Sequence, residues 1–404
     1  MARICMIAYT FYPRDPRVRR EAEALASRGD TVDFICLREA GVASRRDYDG
    51  VHLYPVSAGR YQGESAIAYM AKYASFFLQS FVLVSCLFFK KRYDLIQVHT
   101  MPDFLVFAAL VPKLFGAKVI LDVHDLMPEL YMCKFQSGPR HFIIRFLTWM
   151  EKRSIGFAHQ AIAVHAPHRD ALVAHGNEKW RFAILLNVPD PRIFHRDGGT
   201  RSDGKFRLIY HGTVARRHGL EVALKAVGAV KERIPNLEFL VIGSGDDLPR
   251  IKQKVVEMGL GGCVRFLGTM PVEELPNQLR QADVGLVPIL YDAFTRYMLP
   301  LKLLEYVGMG IPCIVSETET IRAYFDDEMV RFTKPGDDRE LANHILELYE
   351  QPEQRARLVA KASAFNAAYN WPQQRQHYFD LVDSLLQIRQ PLRSTNSQEQ
   401  KVEA

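Results

Sequence analysis

Four apolar runs of this 404-residue chain end in histidine: DLIQVH at His99, KVILDVH at His124, QAIAVH at His165 and FRLIYH at His211. A further segment, FTRYMLPLKLLEYVGMGIPCIVS (residues 294–316), sets Lys302 and Glu305 one helical turn apart, just after Pro300. Arginines gather twice, as Arg14, Arg17, Arg19 and Arg20 in FYPRDPRVRREAEALASRGD and as Arg216 and Arg217 in HGTVARRHG. Cations beside the free amides of a helix start are the chemistry of phosphate recognition. Lys302 and the helix opening at Pro300 and Leu301 can therefore hold a diphosphate, and Glu305 can accept hydrogen bonds from ribose hydroxyls. The bland reading of Lys302 and Glu305 is a surface pair worth a few tenths of a kcal/mol, but the flanking strand and glycines favour function.

These residues need a scaffold that brings strand ends together. Short β-rich runs alternate with helical stretches along the whole chain, which predicts an α/β fold with parallel sheets. In such sheets ligands bind at the carboxyl ends of strands. Four of the 13 histidines at strand ends thus predict a polar cleft, although each alone could simply cap a loop. The Gly/Asp/Pro/Arg-rich stretch PDPRIFHRDGGTRSDGK (189–205) reads as a linker. The division is an N-terminal domain over 1–190, a linker over 191–205 and a second domain over 206–370. A C-terminal helix over 371–389 is expected to pack back on the first domain, with a disordered tail over 390–404.

The first βα turn is glycine-rich in many phosphate-binding α/β proteins; here it carries arginine instead. Asp15 is a good N-cap and Pro16 a good first helical residue. Arg17, Arg19 and Arg20 then fall where positive charge opposes the helix dipole, at a cost of some tenths of a kcal/mol each. Such a cluster looks functional. Arg14 or Arg17 is expected to contact a diphosphate or another anionic ligand such as a lipid-linked phosphate, while Arg19 and Arg20 are expected to face solvent or membrane.

Composition narrows the class. A net charge of +6 suits an anionic ligand or membrane surface and is too small to indicate nucleic acid. Six cysteines lie far apart, with no CxxC, so reduced thiols in a cytoplasmic protein are expected and a zinc site or disulfide frame is not. No export signal is evident. The apolar segment Tyr73–Phe89, followed by Lys90, Lys91 and Arg92, is read as a buried helix with partial contact to a bilayer surface rather than a span.

The segment around Lys302 closely resembles the donor-binding motif of the family 4 retaining glycosyltransferases. The resemblance extends to LDVHDLMPE, ILLNVPDPRIF, LIYHGTVARRHGLEVALKAV, LEFLVIGSGDD and VRFLGTMPVEELPNQLRQADVGLVPI. It implies the GT-B fold, two facing Rossmann-like domains with a cleft between them. It also implies transfer of a sugar from a UDP- or GDP-sugar to a sugar or lipid-linked acceptor, with retention of anomeric configuration and without a metal or other cofactor. By this resemblance the second domain holds the nucleotide, near Gly212, Gly243 and Gly245, with the base by Phe266 and Leu267. His124 lies beside the transferred sugar, Asp125 and Glu129 continue an HDxxPE pattern, His99 belongs to the acceptor or phosphate side, and Asn187 marks the crossing between domains.

Two departures stand out. The earlier of two glutamates in the family motif falls on Tyr297, and the usual arginine and lysine of the first loop in the second domain fall on Thr213 and His218. Arg216 and Arg217 lie between and can supply the charge. Departure of the donor's sugar leaves growing negative charge on the β-phosphate, and each preorganised donor there contributes roughly 2–4 kcal/mol. Lys302 with Arg216 or Arg217 is assigned that role, and a front-face reaction lets the departing phosphate oxygen take the acceptor proton. The leading expectation is a peripheral enzyme of cell-surface glycan assembly on the cytoplasmic face of a membrane. The alternatives are a nucleotide-sugar epimerase or a non-catalytic nucleotide-sugar-binding subunit.

Overall fold

Ile4, Cys5, Met6 and Ile7 of β1 (Arg3–Ile7) are all fully buried, as expected of a central parallel strand covered on both faces. The computed structural model describes residues 1–39, 47–59, 66–195 and 203–387. The tail expected over 390–404 lies outside them, as does 196–202 of the linker. In the first domain β1 is joined by β2 (Thr31–Leu37), β3 (Asp47–Tyr48), β4 (Val51–Val56), β5 (Leu95–His99), β6 (Lys118–Val123), β7 (Gln160–Ala163) and β8 (Phe182–Ile184). Their order is β3-β4-β2-β1-β5-β6-β7-β8, parallel except for the antiparallel edge pair β3 and β4. The second sheet contains β9 (Phe206–His211), β10 (Leu237–Ile242), β11 (Val264–Gly268), β12 (Val284–Val287), β13 (Cys313–Ser316) and β14 (Arg331–Thr333). Its order is β11-β10-β9-β12-β13-β14, parallel throughout.

The β3–β4 hairpin and β14 are not among the strands expected from sequence. Pro55 inside β4 disguises that strand, and β14 is only three residues long. Strand ends also move. His99 and His211 are the last residues of β5 and β9, whereas His124 and His165 lie just beyond β6 and β7.

Helix α1 (Pro16–Ser27) starts as its sequence dictates: the Asp15 carboxylate accepts the Val18 N–H at 3.4 Å, and Pro16 fills the first position. Helix α2 (Ala66–Lys91) buries Phe76, Ser80, Val84 and Phe88 at four-residue spacing against the sheet. Its other face leaves Met70, Leu78, Val82 and Phe89 more than half exposed. By length and composition Met70–Lys91 could cross a membrane, but one stripe is packed into the protein core.

The chain passes between the domains twice. The second passage ends in the helix Trp371–Leu386, where Tyr378 and Val382 join Ile4, Met6, Val18 and Leu25 in one core. Tyr378 Oη donates to Gln97 Oε1 at 2.5 Å, and Gln374 Oε1 accepts the Leu186 N–H at 2.8 Å. In the second domain Gly243 has φ +128°, and a Cβ there would lie 2.0 Å from the Gly212 carbonyl oxygen. A Cβ on Gly245 would lie 2.2 Å from the Val214 oxygen. These glycines let the turns after β9 and β10 pack backbone to backbone.

Candidate active site

A cavity of about 300 Å³ lies between the domains at their strand ends. The first domain contributes Asp15, Arg17, His124, Asp125, His165, His168 and Asn187, and the second Phe294, Tyr297, Pro300, Leu301 and Leu304.

The first-domain wall is organised by Asp122, fully buried in β6. Arg17 spans its two oxygens, with Nε 3.1 Å from Oδ2 and Nη2 2.5 Å from Oδ1. His99 Nδ1 and His124 Nε2 approach Oδ2 at 3.0 and 2.9 Å, and the two rings approach each other at 3.2 Å. Burial alone would raise the Asp122 pKa, but Arg17, His124 and the hydrogen bonds hold it well below the carboxylate range. In return, Asp122 raises His124 against its own burial. His124, with a side chain 20% exposed, reaches the cavity, whereas His99 stands behind it with none exposed. Asp125 also lines the cavity, its pKa raised chiefly by burial. The ligating atoms of His99, Asp122 and His124 lie within 4.8 Å of one another, yet Arg17 already occupies both oxygens of their carboxylate.

The arginines of the first βα turn divide. Arg14 is exposed and paired with Glu39, away from the cavity. Arg17 borders the cavity but is committed to Asp122 and, at 3.4 Å, Glu21; its Nη1 finds no partner among the described residues. The expectation that Arg19 and Arg20 face solvent or membrane fails for Arg20 and holds only in part for Arg19, which is partly exposed. Arg19 pairs with Glu23 and Glu273, while Arg20 is buried and donates to Asn187 Oδ1 at 2.7 Å. Glu21 and Glu23 on the same helix, with Asp122, Asn187 and Glu273 from distant elements, absorb these charges.

Glu129 also departs from the site expected for it. It is buried against His175 Nε2 at 2.9 Å, and His175 Nδ1 meets Glu151 at 3.0 Å. Burial opposes charge on His175, but the two carboxylates carry its pKa up to about 10. Glu129 thus ties the helix Met127–Phe135 to Phe142–Phe157 rather than lining the cavity.

On the opposite wall the helix Leu301–Met309 opens at Pro300 with no side-chain cap, and Pro300, Leu301 and Leu304 line the cavity whereas Lys302 and Glu305 do not border it. Lys302 is 92% buried by its 8% exposure, stands 3.7 Å over the Tyr210 ring, and its Nζ finds no hydrogen-bond partner among the described residues. Gly212, at φ +109°, lies beside it; a Cβ there would be 3.7 Å from Nζ. Burial pushes Lys302 down to about 7 against the pull of Glu305. Burial likewise pushes Glu305 up to about 8 against Lys302 and Arg20. His211 Nε2 sits 3.1 Å from Glu305 Oε2, and burial with Lys302 nearby pushes it down to about 3. His218, held down to about 3 by burial, Lys302 and Arg217, is neutral too.

Arg217 stands 5.8 Å from the Phe294 ring, and its buried Nε has no partner among the described residues. With Arg216 it lines a second crevice cavity of about 910 Å³, across from Cys133 and Lys134. Phe266 and Leu267 lie on edge strand β11, partly buried against the cores, and border neither cavity. Gly243 and Gly245 act through the turn packing described above. Sequence reasoning missed Asp122, His168 and Arg20 as members of this region. An aspartate inside the apolar run KVILDVH was the one available signal for Asp122, because a charge in a central strand requires buried partners.

The chain matches the family model for glycosyl transferases group 1 over residues 192–365 and that for the glycosyl transferase 4-like domain over 15–187. It is 29% identical over 144 residues to the amylovoran biosynthesis glycosyltransferase AmsK of Erwinia amylovora, 35% of each chain. It is 26% identical over 182 residues to the D-inositol 3-phosphate glycosyltransferase of Corynebacterium jeikeium, 43% of this chain and 42% of that one. These alignments span between about a third and two-fifths of the relatives' lengths. Sucrose-phosphate synthase from Thermosynechococcus elongatus superposes with a TM-score of 0.77 at 20% identity, covering 96% of this chain and 100% of that one. Anabaena HepE in complex with UDP-glucose does so with 0.73 at 14%, covering 95% and 100%. The fold is GT-B, as the motif resemblance implied.

Proposed function

This chain belongs to the group 1 glycosyltransferases, and on that premise we propose that it moves a sugar from a UDP- or GDP-sugar to a sugar or lipid-linked acceptor with retention. The observation that carries this reading is the buried ammonium of Lys302, without a partner among the described residues, at the start of the Leu301–Met309 helix. An unpaired buried cation is costly unless a ligand anion completes it. Lys302, Arg217 and the first-turn amides meet the charge growing on the leaving diphosphate, so the reaction calls for no metal. Glu305 accepts the ribose hydroxyls. His124, steadied by Asp122, orients the transferred sugar, and the departing phosphate oxygen takes the acceptor proton.

The enzyme works on cell-surface polysaccharide or lipid-linked glycan at the cytoplasmic face of a membrane. Exposed Leu78, Val82 and Phe89 of α2, next to exposed Lys90 and Arg92, support contact with an anionic bilayer, while Lys91 is tied to Asp33. Incubation with a panel of nucleotide sugars and acceptors, followed by NMR of the product's anomeric proton, tests the reading. Retained configuration in the presence of a chelator supports it. Donor binding with neither transfer nor hydrolysis would instead indicate a non-catalytic subunit.

A further inference from the structure

Arg20 stands where both passages between the domains meet. Its Nη2 donates to Asn187 Oδ1 at 2.7 Å on the first passage, and its guanidinium lies 4.8 Å from the ring of Trp371, which opens the second. It is only 4% exposed, and its Nε finds no hydrogen-bond partner among the described residues. A cavity of about 30 Å³, roomy enough for a water, is lined by Arg20 and Asp190 from one side and by Glu305 from the other, with Arg19, Glu23 and Arg192 also on its wall. Asn187 is an uncharged partner, so much of the Arg20 charge remains available to a neighbouring carboxylate.

We propose that Arg20 is a positioning residue for the donor's ribose: reaching from the first domain, it holds Glu305 of the second as the carboxylate that accepts the ribose hydroxyls. This rests on the assignment of Glu305 to the ribose. The groups acting on Glu305 are Lys302 on its own helix, Arg20 on α1 and His211 at the end of β9. His211 is neutral, and a bound diphosphate draws on the charge of Lys302. Arg20 then remains as the cation opposing the burial that favours protonated Glu305, because Arg19 and Arg192 on the same small cavity are paired with Glu23, Glu273 and Asp190. Around Arg20 itself, Glu21 and Asp190 support its charge while Arg17 opposes it. A protonated Glu305 would give up one oxygen as an acceptor and the strength of a charge-assisted bond. Ribose recognition is therefore complete only when both domains are in place.

The test is calorimetric binding of UDP and GDP and their 2′,3′-dideoxy counterparts at pH 7.5 to the full chain and to Arg20→Gln and Arg20→Lys. The wild type is expected to prefer the ribonucleotide at least tenfold. Arg20→Gln is expected to bring that ratio within about threefold while dideoxynucleotide affinity is kept, and Arg20→Lys to restore most of it. Arg20→Met, whose apolar chain still covers Trp371, repeats the test should the glutamine variant fail to fold. Unchanged discrimination in the neutral variants, or equal loss of both nucleotides, overturns the proposal. Failure of the wild type to bind either ribonucleotide overturns the functional reading beneath it.

Discussion

Lys302 and Glu305 share one buried turn of the helix Leu301–Met309, and burial drives both toward their neutral forms, Lys302 down to about 7 and Glu305 up to about 8. Such a pair gains little from stability alone, because the desolvation of each group offsets their mutual attraction. It is better accounted for as a site waiting for a phosphate and a ribose.

Replacing Lys302 by Met therefore separates function from stability. Transfer is expected to fall by about 10²–10³, the effect of removing one preorganised donor. The melting temperature is expected to hold or rise, since Lys302 Nζ makes no hydrogen bond among the described residues and Glu305, raised to about 8, can stay protonated once the ammonium is gone. Steady-state kinetics and a thermal melt check both halves.

The acid limb of stability reports buried histidines whose pKa burial lowers, His211 and His218 among them together with His165 and His168. His211 and His218 titrate near 6.5 when unfolded and near 3 when folded. Between those values the unfolded chain binds more protons, so stability falls as pH drops from 6.5, by up to about 1.4 kcal/mol per pH unit for each. Urea melts of His218→Gln between pH 4 and 7 should give a shallower slope than the wild type. An unchanged slope would mean His218 is solvated in the folded chain.

Asp122→Asn removes the charge that balances Arg17 and supports His124. Breaking a buried ion pair in this way is expected to cost about 3–5 kcal/mol. The His124 imidazole should titrate at lower pH than in the wild type, visible in its ring NMR signals, and turnover should fall with it.

His175 works in the opposite sense. Its folded pKa is raised, so its contribution is fully present below about 6.5 and is lost as pH rises through about 10. His175→Gln should flatten that alkaline decline and lower stability at neutral pH. Because Glu129 and His175 do not line the 300 Å³ crevice cavity, turnover per folded molecule should stay within about threefold. A large loss of turnover would place Glu129 back in the site.

Local chemistry explains what was legible. The strand-end histidines could be placed because apolar runs mark parallel strands and ligands gather at their carboxyl ends. Lys302 and Glu305 could be paired because four residues of helix fix their relation. Arg20 could not be read in the same way. Its partners, Asn187 and Trp371, are 167 and 351 positions along the chain, and nothing local distinguishes a buried arginine from a solvated one. Glu129 followed a motif, yet His175, beyond any local pattern, claims it. The strand β4 was hidden by Pro55, tolerated here within a ladder near the sheet edge.

The most direct measurement is a crystal structure of the chain with UDP or GDP bound. The β-phosphate is expected within hydrogen-bond distance of Lys302 Nζ and the first amides of the Leu301–Met309 helix, with the ribose on Glu305. A diphosphate seated elsewhere, with the Lys302 ammonium still without a partner, would contradict the account.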